Sequence, residues 1–159
     1  MEPILNTEMQ VTEEKQTVGE IKQFLTFLVN SETFGITLSY VHEILKPVYI
    51  TRIPNTEEYI LGVINLRGEI IPILDLRQKF EQGFTPVKKE TRIIVVHLNE
   101  KKIGLLVDEV LHVVKIDASN ISYTTDELAL NYNKMTESVS RHEDKLILNL
   151  GMKQIIDFI

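Results

Sequence analysis

The chain has 159 residues, of which 43% are hydrophobic and 25% charged, and its formal net charge is −6. This length suits one domain or two small lobes, and the composition supports a hydrophobic core and excludes global disorder. The chain contains no cysteine, which excludes disulfides, thiolate metal sites and cysteine nucleophiles. No basic stripe offsets the acidic balance, so nucleic acid and anionic membrane are poor candidates as partners.

Residues 1–19 are predicted to form a flexible acidic tail. Five glutamates and one lysine lie within the first twenty residues, and the apolar residues there show little periodicity. No apolar run in the chain approaches the roughly 18 residues that a membrane span needs, and no apolar leader opens it. We therefore expect a cytoplasmic protein without direct membrane insertion.

The next segment predicts strands interrupted by one short helix. Residues 22–29 are rich in β-formers, and 33–38 alternate apolar and other residues with period two. "SYVHEILKP" predicts a turn or two of helix from the N-cap Ser39 to Pro47, because the apolar residues of this stretch fall on one helical face. "VYITRIP" predicts a further strand.

Two apolar runs, "YILGVINL" and "EIIPILDL", flank Arg67-Gly68 and predict a β-hairpin with a two-residue turn. Gly68 is expected to take a positive φ there. Pro72 lies inside the second run and favours an edge or bulge position, because proline cannot donate to the sheet ladder. A short helix is expected near 76–80.

The second half of the chain contains three further strand-like runs, "TRIIVVHL", "KKIGLLV" and "EVLHVVKI". The segment 117–134 is polar and ambiguous. "ESVSRHEDKLILNL" predicts a closing hairpin, and "MKQIIDFI" a short terminal helix. Many short strands with few helices indicate a mainly β sandwich or barrel.

A faint internal repeat supports two lobes. "FGITLSYVHEI" resembles "IGLLVDEVLHV", with the same spacing from Gly35 to Val41 as from Gly104 to Val110, and "IIPILDL" resembles "KLILNL". We predict two similar lobes at about 33–80 and 91–150, with the first strand, 22–29, pairing with either.

No catalytic constellation is recognisable. The four histidines, His42, His97, His112 and His142, are far apart and lack metal-ligand spacing. In strands, a hydrogen-bonded structural histidine is the more common case. No nucleophile elbow, phosphate-binding loop or dinucleotide fingerprint is present. The sequence thus predicts a binding protein without enzymatic activity or cofactor.

One long ordered motif carries a family resemblance. "GVINLRGEIIPILDLR", together with Gly35-Ile36 before it and "GLLVDEV" after it, resembles the CheW-type coupling domains of bacterial chemotaxis over about residues 22–150. The resemblance implies a mainly β fold, a single CheW-like domain over 20–159 made of two SH3-like five-stranded β-barrel subdomains packed together, with short helices.

The resemblance also implies a function, that of a scaffold in a two-component signal-transduction system. Free-standing members are adaptors that link transmembrane chemoreceptors (methyl-accepting chemotaxis proteins) to the regulatory domain of the histidine kinase CheA. We expect a monomer when free, recruited to membrane-associated receptor arrays.

Three residues are expected at the surface that binds the chemoreceptor tip: Val41, Glu43 and Arg67. The family places the matching arginine on that surface, and a guanidinium at a hairpin tip suits bidentate recognition of a carboxylate. The alternatives are a solvated turn arginine, a solvated helical glutamate and a core valine.

Three apolar residues, Val48, Ile50 and Ile60, are expected at the kinase-binding end of the first barrel, because exposed apolar patches mark interfaces. Gly62 and Gly68 are expected to be structural turn residues, Gly68 through its positive φ and Gly62 through close backbone approach in a strand. Asp75 and Arg77 are interpreted as structural as well, with the aspartate capping the next turn.

Two other functions stay open on the sequence. One is an adaptor of the same fold in a different receptor–kinase pathway, such as surface motility. The other is a small β-barrel enzyme with an unrecognised site.

Overall fold

The computed structural model describes residues 19–123 and 134–157. Within them the chain is mainly β, as predicted, with a few short helices. The predicted acidic tail, apart from residue 19, and much of the ambiguous polar segment lie outside the described residues. In chain order, the strands are β1 (Ile21–Val29), β2 (Glu32–Thr37), β3 (Val41–Leu45), β4 (Ile60–Leu66), β5 (Glu69–Asp75), β6 (Arg92–Leu98), β7 (Lys101–Val107), β8 (Glu109–Asp117), β9 (Ile121–Tyr123), β10 (Thr136–His142) and β11 (Lys145–Leu150), and the helices are the 3₁₀ turns Leu38–Tyr40 and Ala118–Asn120, α1 (Leu76–Lys79) and α2 (Met152–Ile156).

The strands form two sheets. The first has six strands in the order β9-β10-β11-β2-β1-β8, and the second has five in the order β3-β6-β7-β5-β4. Most neighbours are antiparallel, and each sheet contains one parallel pair, β11–β2 in the first and β5–β7 in the second. The mainly β prediction with two sheets is confirmed, while closure of each sheet into an SH3-like barrel stays a prediction.

The sheets divide the chain differently from the predicted lobes at 33–80 and 91–150. The five-stranded sheet takes all its strands from residues 41–107, and the six-stranded sheet combines 21–37 with 109–150. The first strand, left open in the prediction, pairs with β2 and β8 in the six-stranded sheet. The predicted ranges were wrong because each half of the chain contributes strands to both sheets.

The internal repeat is nevertheless visible in the strand pairing. Gly35 of β2 lies opposite Thr26 of β1, and Gly104 of β7 lies opposite Val95 of β6. On its other side each glycine strand joins a parallel neighbour, through Asn149 for Gly35 and through Ile73 for Gly104. A short helix follows that neighbour in both halves. The two halves therefore repeat one pattern of strand pairing. In each half, the glycine-bearing strand pairs in parallel with a strand from the other half.

Apolar side chains form three buried clusters. The largest lies between the sheets and includes Phe27 and Phe34 of the first sheet and Ile94 and Leu105 of the second. Each sheet also has its own smaller cluster, around Ile73 and Val95 in the five-stranded sheet and around Phe24 and Ile147 in the other. We expect the central cluster to keep the two sheets together, because separating them would expose it to water.

The helix predicted over "SYVHEILKP" is absent. A 3₁₀ turn, Leu38–Tyr40, leads directly into β3, which pairs with β6. The register of this pair shifts between Val41 and Glu43, so His42 is the extra residue of a β-bulge. The helix-like spacing of the apolar residues arises because Ile44 is apolar although it lies on the more exposed side of β3, where it is 42% exposed.

The sequence favoured an edge or bulge position for Pro72. In the structure Pro72 lies on an inner strand and not on an edge strand. β5 is flanked by β4 and β7, and Pro72 lies opposite Val63. The parallel ladder with β7 begins only at Ile73, immediately after the proline. This late start lets an inner strand accommodate a residue without an N–H group.

Asp75 and Arg77 have the structural surroundings that the sequence suggested. The Asp75 carboxylate accepts the backbone N–H of Gln78 and is bonded by both the backbone and the hydroxyl of Thr85. The Arg77 guanidinium donates to both carboxylate oxygens of Asp108 at 3.0 Å. These contacts fasten α1 to the five-stranded sheet, next to the central core.

Candidate functional site

The β4–β5 turn presents Arg67 to solvent. Arg67 and Gly68 both have positive φ, +51° and +85°, as a two-residue type I′ hairpin turn requires. The side-chain oxygen of Asn65 accepts the backbone N–H of Gly68 at 2.9 Å and fixes the turn. The Arg67 side chain is 69% exposed, so packing does not explain its presence there.

Arg67 and Glu43, predicted separately from the sequence, form a bidentate ion pair. Arg67 Nη1 donates to Glu43 Oε1 at 2.7 Å, and Nη2 donates to Oε2 at 3.0 Å. The two parallel bonds have the fork geometry that favours arginine over lysine. The hydrogen bond from Arg67 lowers the pKa of the Glu43 carboxyl, against a smaller opposing effect of desolvation. Glu43 lies on strand β3 and not on the predicted helix, and the bulge at His42 precedes it.

Further polar side chains, which the sequence reasoning missed, surround this pair. Lys102 Nζ donates to Glu69 Oε1 at 2.9 Å. The rings of His42 and His97 meet edge to face with their centroids 6.0 Å apart. No sequence signal links His42 to His97, because only the pairing of β3 with β6 brings them together.

Val41 does not join the exposed pair. It is half-buried, pairs with Val96 and packs against the central core. The structure therefore supports the alternative of a core valine, at the base of the surface that carries Glu43.

A shallow apolar groove of about 340 Å³ lies beside the Arg67 turn. Val48, predicted at the kinase surface, lines it and is 49% exposed. Tyr49, which the sequence reasoning passed over, also lines it and is 87% exposed. The groove is also lined by Leu45, Thr51, Ile64, Asn65 and Leu66. The groove therefore carries two adjacent exposed apolar side chains, Val48 and Tyr49.

The other two predicted kinase-surface residues have different surroundings. Ile50 is half-buried and packs against the cluster of the five-stranded sheet. Ile60 packs against the central core and lines a separate groove of about 380 Å³, together with Ile53 and Phe84. The structure thus brings Val48 together with Tyr49, and places Ile60 elsewhere.

Gly62 holds the groove-bearing segment against β4. A Cβ at this position would lie 2.7 Å from the carbonyl carbon of Thr51 and 2.9 Å from Cα of Arg52, and φ is +148°. Thr51 and Val63 exchange two backbone hydrogen bonds at 2.8 Å. Close backbone approach, expected from the sequence, is what this glycine permits.

Within residues 19–123 and 134–157, no helix is long and apolar enough to cross a membrane. In the same part of the chain, no three His, Asp or Glu side chains converge as metal ligands would.

Comparison with known proteins identifies the family. The family described as "CheW-like domain" matches residues 23–159. The chain is 33% identical over 137 residues to the chemotaxis protein CheW of Helicobacter pylori, covering 86% of this chain and 82% of that one. It is 30% identical over 142 residues to CheW of Bacillus subtilis, covering 87% and 91%.

A solved structure agrees with both the fold and the family. The crystal structure of the scaffolding protein TtCheW from Thermoanaerobacter tengcongensis aligns with a TM-score of 0.74 and 37% identity, covering 84% of this chain and 90% of that one. The mainly β architecture, the long motif around Arg67 and these matches lead to one conclusion: the chain belongs to the CheW-like domain family, as a chemotaxis scaffold of the CheW type.

Proposed function

We propose that this chain is a non-enzymatic adaptor that couples transmembrane chemoreceptors to the histidine kinase CheA. The observation that carries the proposal is family membership over residues 23–159, which covers nearly all of the described fold. In this role the protein works in the cytoplasm and is recruited to receptor arrays. It raises the concentration of kinase at the receptor by holding both partners at once.

The Arg67–Glu43 pair is the proposed centre of the receptor contact. Arg67 is held in a defined orientation by two hydrogen bonds and still exposes most of its side chain. A preoriented guanidinium loses less conformational freedom on binding than a free one, and it keeps donors for a partner carboxylate or carbonyl. Val41 acts here by supporting β3 from within the core.

The apolar groove is the proposed kinase contact, with Val48 and Tyr49 as its exposed anchors. A tyrosine offers a large contact area with few rotatable bonds, which makes aromatic residues frequent interface anchors. Ile50 supports the segment from below, and Ile60 belongs to this surface only if the kinase also reaches the second groove.

Signal passes through such an adaptor only when its contacts differ between the states of the receptor. The two proposed surfaces adjoin, because Asn65 and Leu66 line the groove and directly precede Arg67. A change in the receptor contact at Arg67 therefore occurs beside the proposed kinase contact. This adjacency is the proposed route of coupling.

The test is a pull-down from lysate with this chain as bait, compared with Val48→Asp and Arg67→Glu chains that melt like the wild type. The wild-type chain is expected to retain a CheA kinase and chemoreceptors. Val48→Asp should lose the kinase selectively, and Arg67→Glu the receptors. Recovery of neither class by the folded wild-type chain would contradict the proposal.

The same experiment decides between chemotaxis and the related alternative. A receptor and kinase from another pathway, such as surface motility, would show that the fold serves that pathway. If neither class is recovered and a small molecule binds and is converted, the chain is instead an enzyme.

A further inference from the structure

Polar side chains form a belt around one end of the five-stranded sheet. Following the strand order, these side chains are His42 and Glu43 of β3, His97 of β6, Lys102 of β7, Glu69 of β5 and Arg67 of the β4–β5 turn. Arg67 pairs with Glu43 at 2.7 Å and Lys102 with Glu69 at 2.9 Å. With both histidines neutral, each of these two ion pairs has no net charge, and neither has the belt as a whole.

Glu43 links the histidines to Arg67. His42 Nε2 lies 3.7 Å from Glu43 Oε1, the same oxygen that Arg67 Nη1 contacts. His97 contacts His42 edge to face, with ring centroids 6.0 Å apart. A protonated His42 therefore lies between the Glu43 carboxylate and the His97 ring. Arg67 and Lys102 are the nearby cations.

Protonation of a histidine makes this belt of side chains more positive. A cationic His42 competes with Arg67 for the shared Glu43 oxygen and adds positive charge next to the guanidinium. A second proton on His97 would place two cations at van der Waals range, which like-charge repulsion opposes. Free imidazole changes charge near pH 6.5, closer to neutral than any other unperturbed side chain.

We propose that His42 and His97 form a proton-responsive pair that loosens the Arg67–Glu43 ion pair as the pH falls below neutral. The histidines act as positioning residues, because they change how firmly Glu43 holds Arg67. In a consequence that rests on the proposed function, acidification releases Arg67 from its preoriented position and weakens its contact with a carboxylate of the receptor.

The first test uses the isolated chain and needs no partner. The ¹⁵N and ¹H signals of the Arg67 guanidinium are followed by NMR from pH 8.5 to 5.5. The wild type is expected to show an inflection within this pH range that requires the two imidazoles. The Glu43 carboxyl does not produce such an inflection, because its pKa is lowered from 4.5 and lies below this window.

Two sets of variants make the result specific. In His42→Gln/His97→Gln the Arg67 signals should stay constant over the same range, and His42→Gln alone should remove most of the shift. His142→Gln is the matched control, because His142 Nε2 also lies 3.7 Å from a glutamate, Glu143 Oε2, far along the chain at another hairpin. This variant should keep the wild-type response.

Flat Arg67 signals in the wild type would overturn the proposal, and so would an inflection that survives in a folded His42→Gln/His97→Gln chain. If the double variant does not fold, His42→Gln, at a residue whose side chain is 37% exposed, decides the question alone. Titration of a receptor cytoplasmic fragment at pH 6 and pH 8 then tests the consequence. Loss of receptor binding at both pH values, with the NMR response intact, would count against the proposed function only.

Discussion

Replacing Gly62 with alanine should destabilise the five-stranded sheet and loosen the proposed kinase surface. The added Cβ meets the Thr51 carbonyl group and the Arg52 backbone, neither of which is a flexible side-chain end. In addition, φ of +148° lies in a region that is essentially restricted to glycine, at a cost of about 1 to 3 kcal/mol for another residue.

The clash forces the Thr51 segment to shift, because both of the contacted groups are backbone. That movement breaks the two Thr51–Val63 hydrogen bonds, each worth about 1 kcal/mol net. Backbone strain and the lost bonds together predict a decrease of about 3 to 5 kcal/mol in the free energy of unfolding. For a chain of this size, each kcal/mol lowers Tm by about 2 to 4 °C, so Tm should fall by about 6 to 20 °C.

Gly68→Ala is the matched control, because Gly68 also has a positive φ, +85°, and lies in the same hairpin. No atom lies within 4 Å of a Cβ at this position, so only backbone strain of about 1 to 2 kcal/mol remains. Urea unfolding of the two variants measures the difference, expected to be about 1 to 4 kcal/mol. Equal destabilisation by both substitutions would refute the close approach to Thr51 as the reason for Gly62.

Further predictions concern the surfaces, the tail and acid stability. Arg67→Glu should melt like the wild type, keep CheA binding and bind a receptor cytoplasmic fragment at least about tenfold more weakly, measured by titration; unchanged affinity would leave Arg67 a solvated turn residue. Val48→Asp should weaken CheA binding without changing circular dichroism, whereas Ile50→Asp should also lower Tm, because Ile50 packs on the sheet cluster. A larger fall of Tm in Val48→Asp than in Ile50→Asp would contradict the exposed position of Val48 and the half-buried position of Ile50. Deleting residues 1–18 should change neither Tm nor CheA binding, and a loss of several degrees would show that the tail packs on the domain. Because Arg67 lowers the folded-state pKa of Glu43, the pair stabilises the fold above the unfolded pKa of about 4.5, and this contribution is lost as the pH falls through the lowered value; in the His42→Gln/His97→Gln background, which removes the proposed histidine effect, the loss of stability caused by Arg67→Gln should thus be constant near neutral pH and shrink below about pH 4.5, and a loss that persists at pH 2 would point to another cause.

Local patterns predicted most of the strands and the central turn. Short apolar runs identified β6, β7 and β8, and Arg67-Gly68 between two apolar runs gave the β4–β5 hairpin. Hairpins are specified by neighbouring residues, so a sequence can reveal them. The proximity of Glu43 to Arg67 followed only from the family resemblance, since 24 positions, including the β3–β4 connection and strand β4, separate them.

Non-local pairing accounts for the errors. The parallel ladders β5–β7 and β11–β2 join distant parts of the chain, and no periodicity announces which strand pairs with which. Ile44, an apolar residue on the exposed side of β3, gave this strand a helix-like spacing, and the β-bulge at His42 shifts its register with β6. The His42–His97 contact depends on that bulge and on the β3–β6 pairing, so it could not be inferred before the fold.

The central claim is that one chain holds a receptor and CheA simultaneously through separate surfaces. Co-sedimentation of receptor-bearing membranes with CheA, with and without this protein, measures that claim directly. Wild-type protein should bring CheA down with the membranes, whereas Arg67→Glu should leave both adaptor and kinase in the supernatant and Val48→Asp should sediment without the kinase. If receptor and CheA instead compete for the wild-type chain, so that adding CheA releases it from the membranes, the claim of bivalent coupling is contradicted.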